Sequence, residues 1–127
     1  MFSHITTGSN DLAKAKVFYD ALTKPLGLVR LIEVPGGVGY GQTGGRAPLW
    51  IVQPADGKAA TVGNGITIGL DAANRTAVDA AYAAAMAAGG KDEGKPGIRA
   101  HYHPNYYGAY VRDPDGTKVC IVCHKAP

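Results

Sequence analysis

Val111-Arg112-Asp113-Pro114-Asp115-Gly116-Thr117-Lys118-Val119 joins two apolar, β-branched runs through a tetrapeptide built to turn. Pro114 presets φ, and Gly116 tolerates the positive φ that closes such a turn. The runs on either side, Tyr106 to Arg112 and Thr117 to His124, are rich in residues that suit a pleated, half-buried surface. They are expected to form an antiparallel hairpin.

The second arm of that hairpin carries the chain's two cysteines, Cys120 and Cys123. Their spacing invites a metal or redox reading, but strand side chains alternate faces, so the two thiols point to opposite sides of the sheet. Neither a shared metal nor a disulfide between them is compatible with a strand.

Working outward from the hairpin, the chain reads as a duplication. Ser9-Asn10-Asp11 supplies capping oxygens to a helix with Leu12, Ala15, Tyr19 and Leu22 on one face, ended by Pro25 and Gly27. A second helix follows Asn74, carries Val78, Ala81, Tyr82 and Ala85, and is closed by Gly89-Gly90. At an offset of 63 residues Asp11 falls on Asn74, Ala15 on Val78, Tyr19 on Tyr82, Leu22 on Ala85 and Gly27 on Gly90. The preceding strands, Ser3 to Thr7 and Ile66 to Leu70, coincide as well, which an internal repeat explains most simply. Short β candidates follow the first helix at Leu28 to Val34, Val38 to Gly41 and Leu49 to Gln53. After the second helix, the stretch from Lys91 to Pro104 is broken by Gly and Pro before the hairpin begins. Each half thus reads strand, helix, then up to three strands, and Asp56 to Asn64 is the expected linker. One domain over 1–127 is expected, with repeats at about 1–55 and about 65–127.

Composition narrows the function classes. A hydrophobic share of 46% and a charged share of 18% suit a globular domain with a core of its own. The net charge is +3 and the Lys and Arg are scattered, with no stripe to follow a phosphate backbone, so no nucleic-acid partner is expected. No stretch approaches the roughly 18 apolar residues of a membrane span, and the amino terminus lacks a secretory pattern. No membrane partner and a cytoplasmic location are expected.

The βαβββ unit used twice, the opening Ser3-His4-Ile5 strand and the Asp-Pro-Asp-Gly hairpin together resemble the vicinal oxygen chelate superfamily of glyoxalases, bleomycin and fosfomycin resistance proteins and extradiol dioxygenases. The resemblance implies an α+β fold in which two βαβββ repeats form a curled mixed sheet around a cup-shaped cavity. It also implies a divalent metal on the cup floor, held by one residue from the first and one from the last strand of each half. Those positions are His4, Thr67, Cys120 and a place on Leu49-Trp50-Ile51-Val52, a strand that contains no metal ligand. His4 alone matches the usual His or Glu, so a cup without Zn, Ni, Mn or Fe is favoured, with His4 and Cys120 the candidates should a metal bind. His124 shares the strand face of Cys120 but lies too far along it for easy shared coordination.

The candidate site residues follow from that frame. His4 is the candidate catalytic residue, an imidazole suited to proton transfer. Trp50, Thr67, Tyr107 and Cys120 are the candidate cavity lining. If Asp113 to Gly116 form a four-residue loop, Arg112 pairs with Thr117, Ala109 with Cys120 and Tyr107 with Val122, which turns Tyr107 into the cup and Tyr106 and Tyr110 toward the helices. A bulge reverses that assignment. Arg99, with His101 and His103 nearby, either meets an anionic substrate at the cup mouth or is solvated loop charge.

These residues fit a small-molecule-binding protein with a degraded metal site, either a metal-independent lyase or isomerase or a non-catalytic sequestration or resistance protein. A metal-dependent lyase or dioxygenase acting on a vicinal-oxygen substrate is the alternative, and an interaction module with a plugged cup is a third. The resemblance further implies a homodimer in which cups are shared or completed between subunits.

Overall fold

The computed structural model describes residues 1–127. Both repeats are present as βαβββ modules. The first comprises β1 (Ile5–Gly8), α1 (Leu12–Thr23) with a short 3-10 turn at Lys24–Leu26, β2 (Val29–Val34), β3 (Gly37–Gly41) and β4 (Leu49–Val52). The second comprises β5 (Ile68–Asp71), α2 (Arg75–Ala87), β6 (Lys91–Ile98), β7 (Tyr107–Arg112) and β8 (Lys118–Cys123). Each module builds its own four-stranded mixed sheet, ordered β1-β4-β3-β2 and β5-β8-β7-β6, and no ladder joins the two. The architecture is α+β with no closed barrel.

Both helices start where capping chemistry places them. Asp11 Oδ1 accepts the Lys14 amide at 3.1 Å, and Asn74 Oδ1 accepts the Ala77 amide at 2.8 Å. The helices pack against each other, and each lies on its own sheet. One core results, shared by Ala15, Phe18, Tyr19 and Leu22 of α1, Val78, Ala81 and Ala85 of α2, and the inward residues of both sheets. Its layers run sheet, helix, helix, sheet. The helix-free face of each sheet is therefore turned outward.

The modules are also tied by polar contacts at the hairpin. Tyr19 Oη donates to Asp113 Oδ2 at 2.6 Å, and Asp113 Oδ1 accepts the amides of Asp115 and Thr117, each at 2.9 Å. The Asn10 amide donates to Asp115 Oδ1 at 2.8 Å. The Asp-Pro-Asp-Gly signature thus works as a latch to α1.

Two expectations are corrected by the strand ladders. Lys91–Ile98 is a strand despite Gly94, Pro96 and Gly97, because β6 is the sheet edge and register shifts on both sides of Gly94 absorb the irregularity. The hairpin register is also one residue away from the four-residue reading. The Asp113 amide bonds to Thr117 O, so the loop is Pro114-Asp115-Gly116, with Gly116 at φ 91°. A three-residue loop ending in a left-handed glycine shifts the pairing to Arg112 with Lys118, Tyr110 with Cys120 and Gly108 with Val122. Every side chain of β7 changes face as a result.

Candidate functional site

The outward face of the second sheet holds a cavity of about 570 Å³ whose lining includes Thr67, Gly69, Tyr106, Tyr110, Cys120 and His124. Cys120 sits between Gly69 on β5 and Tyr110 on β7. The floor at Gly69 is open: a Cβ built there meets nothing within 4 Å. Tyr106 Oη lies 2.8 Å from Tyr110 Oη and 3.4 Å from Cys120 Sγ, a phenol–phenol–thiol chain across the floor. Burial, and next the contact with Cys120, push the Tyr106 phenol above its ordinary range. Burial, and next the bond to Tyr106, do the same to Tyr110. Both phenols stay protonated at neutral pH and act as hydrogen-bond donors or acceptors, not as bases. Tyr102 packs beside Tyr106 with its ring tilted by 48°, at 4.8 Å between ring centroids, extending the aromatic wall.

The five sequence-derived site residues fall in three places. Thr67 and Cys120 are brought together in this cavity. His4 and Trp50 lie on the first module instead. Trp50 pairs with Thr6 and Gly39 on the outward face, and its indole N–H donates to Ala47 O at 3.0 Å. His4, exposed just before β1, has Nδ1 2.9 Å from Ser3 Oγ. Tyr107 faces α2, where its hydroxyl donates to Asp79 Oδ1 at 2.6 Å and Arg75 lies over its ring. The expectation that Tyr107 lines the cup is thus overturned by the three-residue loop, and Tyr106 and Tyr110 take its place. Gly116 was the available signal, since a left-handed residue at that point selects the shorter loop. The two cysteines do take opposite faces, Cys120 to the cavity and Cys123 to the core, and both are free.

Strand register identifies the metal positions of the family pattern without reference to spacing. Thr6 pairs with Trp50, and Gly69, at the same place in the repeat, pairs with Cys120. Trp50 is therefore the counterpart of Cys120. An indole N–H has no lone pair to give a metal. The donor set at the four positions is one imidazole, one hydroxyl, one thiol and an indole, and nowhere are three His, Cys, Asp or Glu side chains gathered. This set does not fit the His and carboxylate centre that the resemblance implies.

A family model described as the glyoxalase/bleomycin resistance protein/dioxygenase superfamily matches residues 1–121. The chain belongs to that superfamily. Among solved structures, a glyoxalase/bleomycin resistance protein from Albidiferax ferrireducens T118 is 40% identical, covering 98% of this chain and 99% of that one with a TM-score of 0.87. A glyoxalase-related enzyme from Fulvimarina pelagi is 22% identical over 97% of this chain and 87% of its own, with a TM-score of 0.74. A family enzyme from Burkholderia phytofirmans PsJN shares the fold at 18% identity, 98% coverage of both chains and a TM-score of 0.72. A comparison with curated proteins returned no match. In this arrangement the helix-free faces of the two sheets are turned away from each other. No helix is long and apolar enough to cross a membrane.

Proposed function

We propose that this protein is a small-molecule-binding member of the superfamily whose cup is built from the second-module face of one copy and the first-module face of another. The observation that carries this reading is the phenol–phenol–thiol chain of Tyr106, Tyr110 and Cys120 over an open glycine floor. A cavity of this size, with aromatic walls and a few convergent polar groups, has the features of a ligand site. The first-module face supplies the other wall. Ile32 and Val34 on β2 are 42% and 46% exposed beside Trp50, Val52 and the glycines of β3, an apolar surface rimmed by polar groups. The edge strands β1 and β5 are also free to approach another sheet.

In such a dimer His4 and Trp50 of the second copy would meet Thr67 and Cys120. His4, with Nε2 free, is then the group available to carry a proton, which makes metal-independent lyase or isomerase chemistry the catalytic form of this proposal.

Trp50 is the chain's one tryptophan and reports on the arrangement directly. Equilibrium sedimentation is expected to show a dimer at micromolar concentration, and Ile32→Glu with Val34→Glu to give a folded monomer. Aromatic ligands should change Trp50 emission in the dimer and leave it unchanged in the monomer. A wild-type protein that stays monomeric at tens of micromolar would overturn the shared cup.

A further inference from the structure

The cavity has a second polar wall that the phenol–thiol chain does not use. His124, the first residue after β8, lines it, and its Nδ1 lies 2.8 Å from Nε2 of His103 with the rings stacked at 27°. The other nitrogen of His103 is already committed, because the Asn105 backbone amide donates to His103 Nδ1 at 3.1 Å. An amide N–H can only donate, so His103 Nδ1 is a lone pair and the neutral ring carries its proton on Nε2. That proton goes to His124 Nδ1. His124 must then carry its own proton on Nε2, the ring nitrogen left without a partner. Tyr106 closes edge-on against both rings, at 5.7 Å from His103 and 5.3 Å from His124 between centroids, and restricts their rotation.

The phenols of Tyr106 and Tyr110 and the thiol of Cys120 lie on the floor beside that donor, bonded to one another through Tyr106. Lys118 and Asp71 line the same cavity with opposite charges, so the donors rather than net charge set the preference.

Resting on the small-molecule reading above, we infer that the second-module cavity takes a planar aromatic molecule presenting an acceptor oxygen, which His124 Nε2–H reads, and that His103 is a positioning residue that fixes the His124 tautomer. The aromatic part fits against Tyr102, Tyr106 and Tyr110. The acceptor is either a carboxylate or a carbonyl, two forms of the same hydrogen-bonding chemistry.

The test combines imidazole ¹⁵N shifts with amide-detected titrations of benzoate, acetophenone and aniline against the full-length protein. In wild type, His124 is expected in the Nε2–H tautomer, and benzoate or acetophenone should perturb residues around Tyr106 and Cys120. His124→Ala should weaken that acceptor probe about tenfold, the effect of losing one hydrogen bond, and leave aniline unaffected. His103→Ala should match that loss and show mixed His124 tautomers. His103→Gln, whose amide can still donate to His124 Nδ1, should restore both. An Nδ1–H tautomer in wild-type His124, or an acceptor probe that binds equally well to His124→Ala, overturns the inference. Binding of aniline alone shows a ligand cavity of the wrong polarity and overturns it while sparing the small-molecule reading. If none of the three binds, both fall.

Discussion

Across the first sheet, one row of residues on the outward face runs Thr6, Trp50, Gly39; across the second sheet the same places hold Gly69, Cys120, Tyr110. Bulk has changed strands between the two rows. In the first module the large side chain stands on β4 and lies over a glycine of β3. In the second it stands on β7, and the residues on β8 and β5 are small. The two faces consequently differ in use. The first is covered by the indole and flanked by apolar β2, while the second is an open, polar and aromatic hollow. Duplication supplied two similar frames, and one cross-strand exchange is enough to make one of them a wall and the other a receptacle.

The helices show the same divergence inside the core, and there the largest effects are expected. Tyr19 and Tyr82 occupy equivalent repeat positions. Tyr19 is fully buried and donates to the buried Asp113 of the other module, whereas Tyr82 bonds the exposed Asp92 of its own module. Tyr19→Phe leaves a buried carboxylate oxygen without its partner and should cost about 3 kcal/mol in urea denaturation. Tyr82→Phe should leave the midpoint within error. Equal losses would mean that the latch to Asp113 contributes nothing beyond packing.

The latch also sets the response to alkali. Burial, and next the neighbouring Asp113, raise the Tyr19 phenol well above its ordinary value of 10.0. A group whose folded-state pKa is raised contributes stability that is present below the unfolded value and is lost as pH rises past it. Wild type should therefore lose stability above about pH 10, and Tyr19→Phe should show a shallower loss over the same window. Tyr40, Tyr82, Tyr106 and Tyr110, all raised chiefly by burial, and Tyr107, raised chiefly by its bond to Asp79, account for the part of the slope that remains.

The repeat and the modules were legible because they rest on local chemistry. Asp11 and Asn74 are cap residues at one offset, and the apolar faces of both helices follow a helical period. The outward faces were legible only in part. Thr67 and Cys120 line one cavity, on the face where the repeat offset and the last-strand position of the family pattern put them. Tyr107 falls on the other face because the faces of β7 hang on one residue of loop length, and the left-handed backbone at Gly116, which a four-residue loop does not require, determines that length. His103 and His124 are 21 residues apart and meet only because a loop folds back over the end of β8, which no periodicity encodes. The edge strand β6 was hidden by its glycines and proline, which a central strand would exclude but an edge permits.

A single-methyl probe at the rows compared above gives the next effect. A Cβ built on Gly39 would sit 2.8 Å from the Ala47 methyl and 3.1 Å from the Trp50 ring. Gly39→Ala must then displace the indole or the β3–β4 loop, an overpacking cost of about 2 kcal/mol. Trp50 emission should shift with it, since the ring is the group that yields. An unchanged emission with lost stability would point to the loop as the part that moves.

The same substitution in the second row should have the opposite sign. Gly69 has ordinary strand dihedrals, with no positive φ, and open space where its Cβ would lie. Gly69→Ala removes backbone freedom from the unfolded chain without meeting anything in the folded one, so a gain of about 0.5 kcal/mol is expected. The added methyl lies beside Cys120 on the cavity floor, so aromatic probes should bind several-fold more weakly to a protein that is slightly more stable. That pairing separates site from scaffold: a glycine retained only for folding would show both quantities falling together, whereas one kept to leave room for a ligand shows them moving apart.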